Sequence, residues 1–138
     1  MSTAKSRDAY VDTSALIAFA DQSDSYHLVF RNLFSDPPPL VTTPLVVTEG
    51  HAWFLRRYDQ IKALYFLSML EVMTPLTIKS VGVPELAAAS DLIRQMPDQA
   101  LTMTDALGLH VMGTRSINSC WSTDFHLGLT GVQLVINQ

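Results

Sequence analysis

Residues 8–20, DAYVDTSALIAFA, decide how the rest of this chain is organised. The first apolar run of this stretch is typical of a buried strand, and its second half has the apolar spacing of a helix. Asp12 stands between the two and is followed by two hydroxyl residues, Thr13 and Ser14. Open α/β sheets bind ligands where a strand ends and the next helix begins, so Asp12 is the first candidate for chemistry. Helix capping by Asp12 or Thr13 explains the same pattern equally well.

Length and composition bound the class of protein. The 138 residues fit one domain, so we predict a single domain over 1–138. An apolar content of 48% beside a charged content of 16% is typical of a globular rather than a disordered chain. The single cysteine, Cys120, excludes an internal disulfide and a Cys-rich zinc site, and it favours a cytoplasmic setting. The N-terminal residues lack an apolar segment and no apolar run approaches about 18 residues, so we expect neither a signal peptide nor a membrane span.

The formal net charge of −4 limits how this protein holds a partner. A protein that binds nucleic acid through its overall field is usually basic. An acidic chain is still compatible with a nuclease, because carboxylates that hold divalent cations are neutralised when the ions bind.

Strand and helix signals alternate along the chain. After the opening unit, strands are predicted at 40–42, 73–78, 118–123 and 132–136, and helices at 23–34, 44–57, 59–71, 84–96 and 102–115. This order predicts a three-layer α/β/α fold, in which helices cover both faces of a parallel sheet of four to five short strands. The helices of 44–71 carry apolar residues around most of their surface, so they either lie deep in the core or form a homodimer face, and in a domain this small we favour the homodimer face.

Three further acids stand where solvation alone explains them poorly. Glu49 is the only charge in the apolar first half of its predicted helix, although a place on the solvent side of that helix is the alternative. Asp105 opens a helix, where Thr102-x-x-Asp105 also has the pattern of a capping box. Asp124 directly follows a predicted strand, where turn aspartates are common. Because the carboxyl ends of parallel strands share one edge of a sheet, these acids and Asp12 can converge there.

Together the four acidic motifs resemble the PIN domain family, and most of all the VapC-type toxins of bacterial toxin–antitoxin pairs. The motifs are VDTSAL with Asp12, TTPLVVTEG with Glu49, TMTDAL with Asp105 and STDFHL with Asp124. They occur in the family's order, and the resemblance covers essentially the whole chain. It maps the family's hydroxyl positions onto Thr13 and Ser122. The last motif departs from the family pattern, since Leu127 stands where an aromatic residue is usual.

The resemblance implies a metal-dependent ribonuclease that acts as the toxin of a type II toxin–antitoxin pair. Asp12 and Asp105 would be direct ligands of Mg²⁺ or Mn²⁺, Glu49 and Asp124 would be direct or water-mediated ligands, and Thr13 and Ser122 would orient ligands or water. Carboxylate oxygens suit these cations, and the lack of a Cys/His cluster disfavours zinc. One or two ions would activate a water for attack on a phosphodiester. RNA as the substrate and a small cognate antitoxin as a partner also follow from the resemblance.

Other readings of the acids are possible. A HAD-type phosphatase needs a second aspartate where Ser14 stands, and a receiver domain needs a late lysine, whereas the last lysine is Lys79. The alternative that remains is a PIN-like RNA- or protein-binding module without catalysis, which would not depend on metal. The four histidines have no metal-ligand spacing, and we expect His126 to be a surface residue.

Overall fold

Five strands form one sheet in the computed structural model, which describes residues 6–136. They are β1 (Ser6–Val11), β2 (Leu40–Thr42), β3 (Leu76–Ile78), β4 (Ile117–Trp121) and β5 (Gln133–Leu134). All neighbouring strands pair in parallel, in the order β3-β2-β1-β4-β5. The predicted parallel sheet is therefore confirmed, with β1 at its centre.

Helices connect these strands over the same described range. They are α1 (Thr13–Ala20), α2 (His27–Leu33), α3 (Pro44–Arg57), α4 (Gln60–Val72), α5 (Val83–Gln95) and α6 (Met103–Thr114), with a 3₁₀ helix over Phe125–Gly128. The helix predicted from residue 23 begins later, because the Asp24 carboxylate accepts the Tyr26 amide at 2.8 Å in a turn that precedes α2. The strand predicted from residue 73 is shorter, because the Met73 amide still bonds to the last turn of α4. Within residues 6–136 no helix is both long and apolar enough to cross a membrane.

The side chains of β1 alternate between two apolar layers. Ala9 and Val11 pack on one face of the sheet among buried residues of α1, α2, α3 and α4. Tyr10 points to the other face, where it packs among buried residues of α6, and α5 packs on α6 through Ala89. A parallel sheet must bury both of its faces. The predicted three-layer α/β/α arrangement is thus confirmed.

The α3–α4 pair contributes to the core and also exposes apolar side chains. Gly50 of α3 lies so close to the Phe66 ring of α4 that a Cβ at this position would overlap the ring. The outer surface of α4 carries Ile61, Tyr65 and Val72, which are 62%, 67% and 76% exposed. A homodimer through residues 44–71 therefore stays a prediction, with an apolar surface available for it.

Candidate active site

Asp12 directly follows β1 and is almost completely buried, with 4% of its surface exposed. It occupies the N-cap position of α1, yet its side chain makes no capping hydrogen bond. Instead, Oδ2 accepts hydrogen bonds from the hydroxyls of Ser122, at 2.9 Å, and Ser14, at 3.3 Å. The capping explanation for the Asp12 side chain is therefore wrong, and this carboxylate belongs to a polar network between β1 and β4.

Two serine hydroxyls form the centre of this network. The Oγ atoms of Ser14 and Ser122 lie 3.2 Å apart, and the backbone amide of Thr123 donates to Ser14 Oγ at 3.0 Å. Ser122 is fully buried, as its predicted supporting role requires. Thr13, the other predicted hydroxyl, is buried too, but its Oγ1 has no hydrogen-bond partner in residues 6–136. The hydroxyl that donates to Asp12 from this segment thus comes from Ser14. Its position two residues after the acid is the feature of the sequence from which this contact could have been predicted.

Asp105 lies at the start of α6, where the predicted capping box forms. Its amide donates to Thr102 Oγ1 at 3.1 Å, and its Oδ2 accepts from the Thr102 amide at 3.2 Å. This capping box uses Oδ2 of the Asp105 carboxylate and does not involve Oδ1. Because Asp105 is only 7% exposed, capping and participation in a buried acidic site are compatible.

Asp124 follows β4 and is held by His126. Its Oδ1 accepts from the His126 amide at 3.0 Å and lies 2.7 Å from the His126 ring nitrogen Nδ1. The Asp124 amide donates to Ser122 Oγ at 2.8 Å, which joins this residue to the network around Asp12. The side chain of His126 is half-buried, with 20% exposed, so the predicted surface position is confirmed only in part. One ligand atom each from Asp105, Asp124 and His126 lies within 4.8 Å of the others.

Two predicted ligands lie outside this group of close ligand atoms. The first, Asp12, is joined to Asp124 through the Ser122 hydroxyl, and the second is Glu49. It lies on α3 with its side chain exposed. In the described part of the chain, the acids and histidines with mutually close ligand atoms do not include it. The role of Glu49 as a ligand therefore stays a prediction, and it requires a bound ion or water between Glu49 and the other ligand atoms.

The electrostatics of the site follow from burial and from the charges of neighbouring acids. Burial raises the pKa of Asp12 to about 6, the Thr13 amide and the Ser122 hydroxyl oppose this shift, and the charges of Asp105 and Asp124 add to it. Burial also raises the pKa of Asp105, with a further rise from the Asp124 charge. Desolvated carboxylates that repel one another gain most from a cation between them. Their oxygen donors suit a hard divalent cation, so the residues present fit Mg²⁺ or Mn²⁺.

The fold and this site define an open α/β protein with a cluster of acids at the carboxyl ends of its central strands. The sequence pattern of the PIN domain family matches residues 9–126, and the chain belongs to that family. Its structure is similar to the crystal structure of Mycobacterium tuberculosis VapC20, a sarcin-ricin loop cleaving toxin. The TM-score is 0.83 at 21% sequence identity, over 91% of this chain and 96% of that chain. No curated protein sequence matches the chain.

These comparisons confirm the predicted family and its fold. They do not test the individual site residues, whose roles stay predictions that rest on the geometry described above.

Proposed function

We propose that this protein is a VapC-type endoribonuclease that depends on Mg²⁺ or Mn²⁺ and acts as the toxin of a type II toxin–antitoxin pair. The observation that carries the proposal is the buried carboxylate of Asp12 within a PIN fold, whose pKa is raised by burial and further by the charges of Asp105 and Asp124. A globular protein seldom buries acids beside one another unless they are paired or hold a cation. We treat residues 1–138 as one catalytic domain, since a single sheet joins strands from Ser6 to Leu134.

The carboxylates have distinct roles in the proposed reaction. Asp12 and Asp105 would hold the cation directly, and Asp124 and Glu49 would hold it directly or through water. A bound cation would supply an activated water and would neutralise charge that develops on the phosphate oxygens. The Ser122 and Ser14 hydroxyls bind Oδ2 of Asp12, which fixes the rotation of that carboxylate. Because these acids must be ionised to bind the cation, affinity for it falls as the pH is lowered.

The substrate class and partners extend the same proposal. VapC20, whose fold this chain shares, is a toxin that cleaves the sarcin-ricin loop. This supports RNA as the substrate here, with a small cognate antitoxin as the inhibitor and the cytoplasm as the compartment. We further propose a homodimer through α3 and α4, because α4 exposes the apolar side chains of Ile61, Tyr65 and Val72, which a second copy would cover.

A second candidate, a PIN-like RNA- or protein-binding module without catalysis, is favoured by two features of the site. Glu49 is exposed and separate from the other acids. In addition, Oδ1 of Asp124 is already hydrogen-bonded to His126. A module of this kind would bind its partner equally well with and without divalent cations.

Cleavage of mixed cellular RNA by the purified protein separates the two candidates. The wild type and Asp105→Asn are compared with Mg²⁺ or Mn²⁺ and then with EDTA. Asparagine can still accept the Thr102 amide, so this variant keeps the cap of α6 and loses only the charge. Asp36→Asn, at an exposed position, is the matched control.

The nuclease proposal requires cleavage that EDTA abolishes, that Asp105→Asn loses and that Asp36→Asn keeps. If the wild type cleaves no RNA and calorimetry detects no divalent-cation binding, the binding module becomes the better explanation.

A further inference from the structure

The ring of His126 is held at both of its nitrogens. Nδ1 lies 2.7 Å from Asp124 Oδ1, and Nε2 lies 2.8 Å from the backbone carbonyl oxygen of Gln99. The Gln99 carbonyl and the Asp124 carboxylate both only accept hydrogen bonds, so both ring nitrogens donate and the imidazole in this arrangement carries both protons. The imidazole thus connects the last acid of the site to a backbone carbonyl that lies 27 residues before His126 in the sequence.

The Gln99 carbonyl belongs to the loop that leads into α6. The next residue, Ala100, has a φ of +53°, in the left-handed region that residues other than glycine rarely adopt. This dihedral angle helps to set the direction in which the Gln99 carbonyl points. Two residues further on, Thr102 forms the capping box with Asp105. One short segment therefore both aims a carbonyl at His126 and caps the helix of Asp105.

We propose that His126 is a positioning residue for Asp124, an inference that rests on the proposed metal-dependent function. By bridging Asp124 to the Gln99 carbonyl, it holds this carboxylate at a set distance from Asp105. The His126 backbone amide would still donate to Oδ1, but the Asp124 side chain is 33% exposed, so loss of the ring contact leaves it more rotational freedom that cation binding must then remove. Outer hydrogen bonds of this kind orient ligating groups at many metal sites.

A direct ligand role for His126 fits the geometry less well. Both ring nitrogens are already hydrogen-bonded, so coordination would require one of these contacts to break. The two roles also predict different effects of substitution, because a positioning residue can be replaced by any group that donates to Asp124 from the same place.

Three substitutions at position 126 test the proposal. In His126→Asn the side-chain amide can donate from the position of Nδ1, so the contact to Asp124 is kept and the contact to Gln99 is lost. In His126→Gln the amide reaches the position of Nε2, so the opposite contact is kept. His126→Ala removes both. His110→Asn, in α6 and outside the acidic group, is the control for loss of a histidine.

The measurement is calorimetric titration with Mn²⁺ alone, with circular dichroism to verify the fold of each variant. We expect His126→Ala and His126→Gln to weaken Mn²⁺ binding by about 10- to 100-fold, the usual cost of losing an outer partner at a metal site. His126→Asn should bind more like the wild type than like His126→Ala, and His110→Asn should match the wild type. RNA cleavage should follow the same order.

Several results would overturn the proposal. Wild-type affinity in His126→Ala, or equal losses in the Asn and Gln variants, would show that the contact to Asp124 does not matter. Tighter binding in His126→Ala would show that the imidazole competes with the cation. A wild-type protein that binds no Mn²⁺ would instead remove the proposed function itself, and the inference with it.

Discussion

Replacement of Asp12 by asparagine should stabilise the metal-free protein at neutral pH, although the change removes a proposed ligand. Burial and the charges of Asp105 and Asp124 raise the pKa of Asp12 from 3.8 to about 6. An acid with a higher pKa in the folded state favours folding while it is protonated. Its contribution is fully present below about pH 4 and is lost as the pH rises through about 6. Above that pH the shift corresponds to a cost of about 3 kcal/mol, which a neutral asparagine avoids.

The assay is urea unfolding in EDTA of the wild type, Asp12→Asn and the exposed control Asp36→Asn. The free-energy difference between Asp12→Asn and the wild type should be small at about pH 4 and approach about 3 kcal/mol in favour of the variant at about pH 7.5. Asp36→Asn should follow the wild type at both pH values. Added Mn²⁺ should then stabilise the wild type more than Asp12→Asn, since only a ligand that binds the folded state raises stability.

The reasoning is refuted if the difference between Asp12→Asn and the wild type does not change with pH. It is refuted equally if the variant is the less stable protein at about pH 7.5 in EDTA. Either result would mean that burial does not disfavour the ionised form of the Asp12 carboxylate in the folded protein.

Three further predictions address the helices and the substrate. Glu49→Gln should leave the free energy of unfolding in EDTA within about 0.5 kcal/mol of the wild type, because the side chain is exposed. It should lower metal-dependent cleavage by about 10- to 100-fold if Glu49 binds the ion through water. Unchanged cleavage would remove Glu49 from the site. Gly50→Ala should destabilise the protein by about 1–3 kcal/mol in urea unfolding, because the new Cβ overlaps the buried Phe66 ring, and a neutral effect would contradict the α3–α4 packing. Lys79→Ala should weaken RNA binding and reduce the slope of the log binding constant against log salt by about 0.7, because Lys79 is exposed beyond β3 at the carboxyl edge of the sheet. Lys62→Ala, on α4, is the control and should leave this slope unchanged. Equal effects of the two variants would exclude a specific contact at Lys79.

The positions of most helices and strands follow from local patterns. The apolar run before Asp12 and the helical spacing after it predict β1 and α1, and Pro44 at the first helical position predicts the start of α3. The predicted ends of helices differ from the structure where a side chain competes with the backbone for a hydrogen bond. At Asp24 this competition forms a turn, and α2 begins after it. At Asp105 the local pattern predicted the cap correctly, while the closeness to Asp124 depends on the fold.

The amino-acid sequence by itself determined the α/β class, the order of its elements and the places of the acids at strand and helix ends, because these depend on spacing along a few residues. The tertiary structure decided which side chains meet. The pairing of Val11 with Trp121 brings Ser122, which lies 110 residues from Asp12 in the sequence, against the Asp12 carboxylate. The path of the loop before α6 brings a backbone carbonyl to His126. Such contacts depend on strand register and loop conformation between distant segments, and no local pattern in the sequence encodes them.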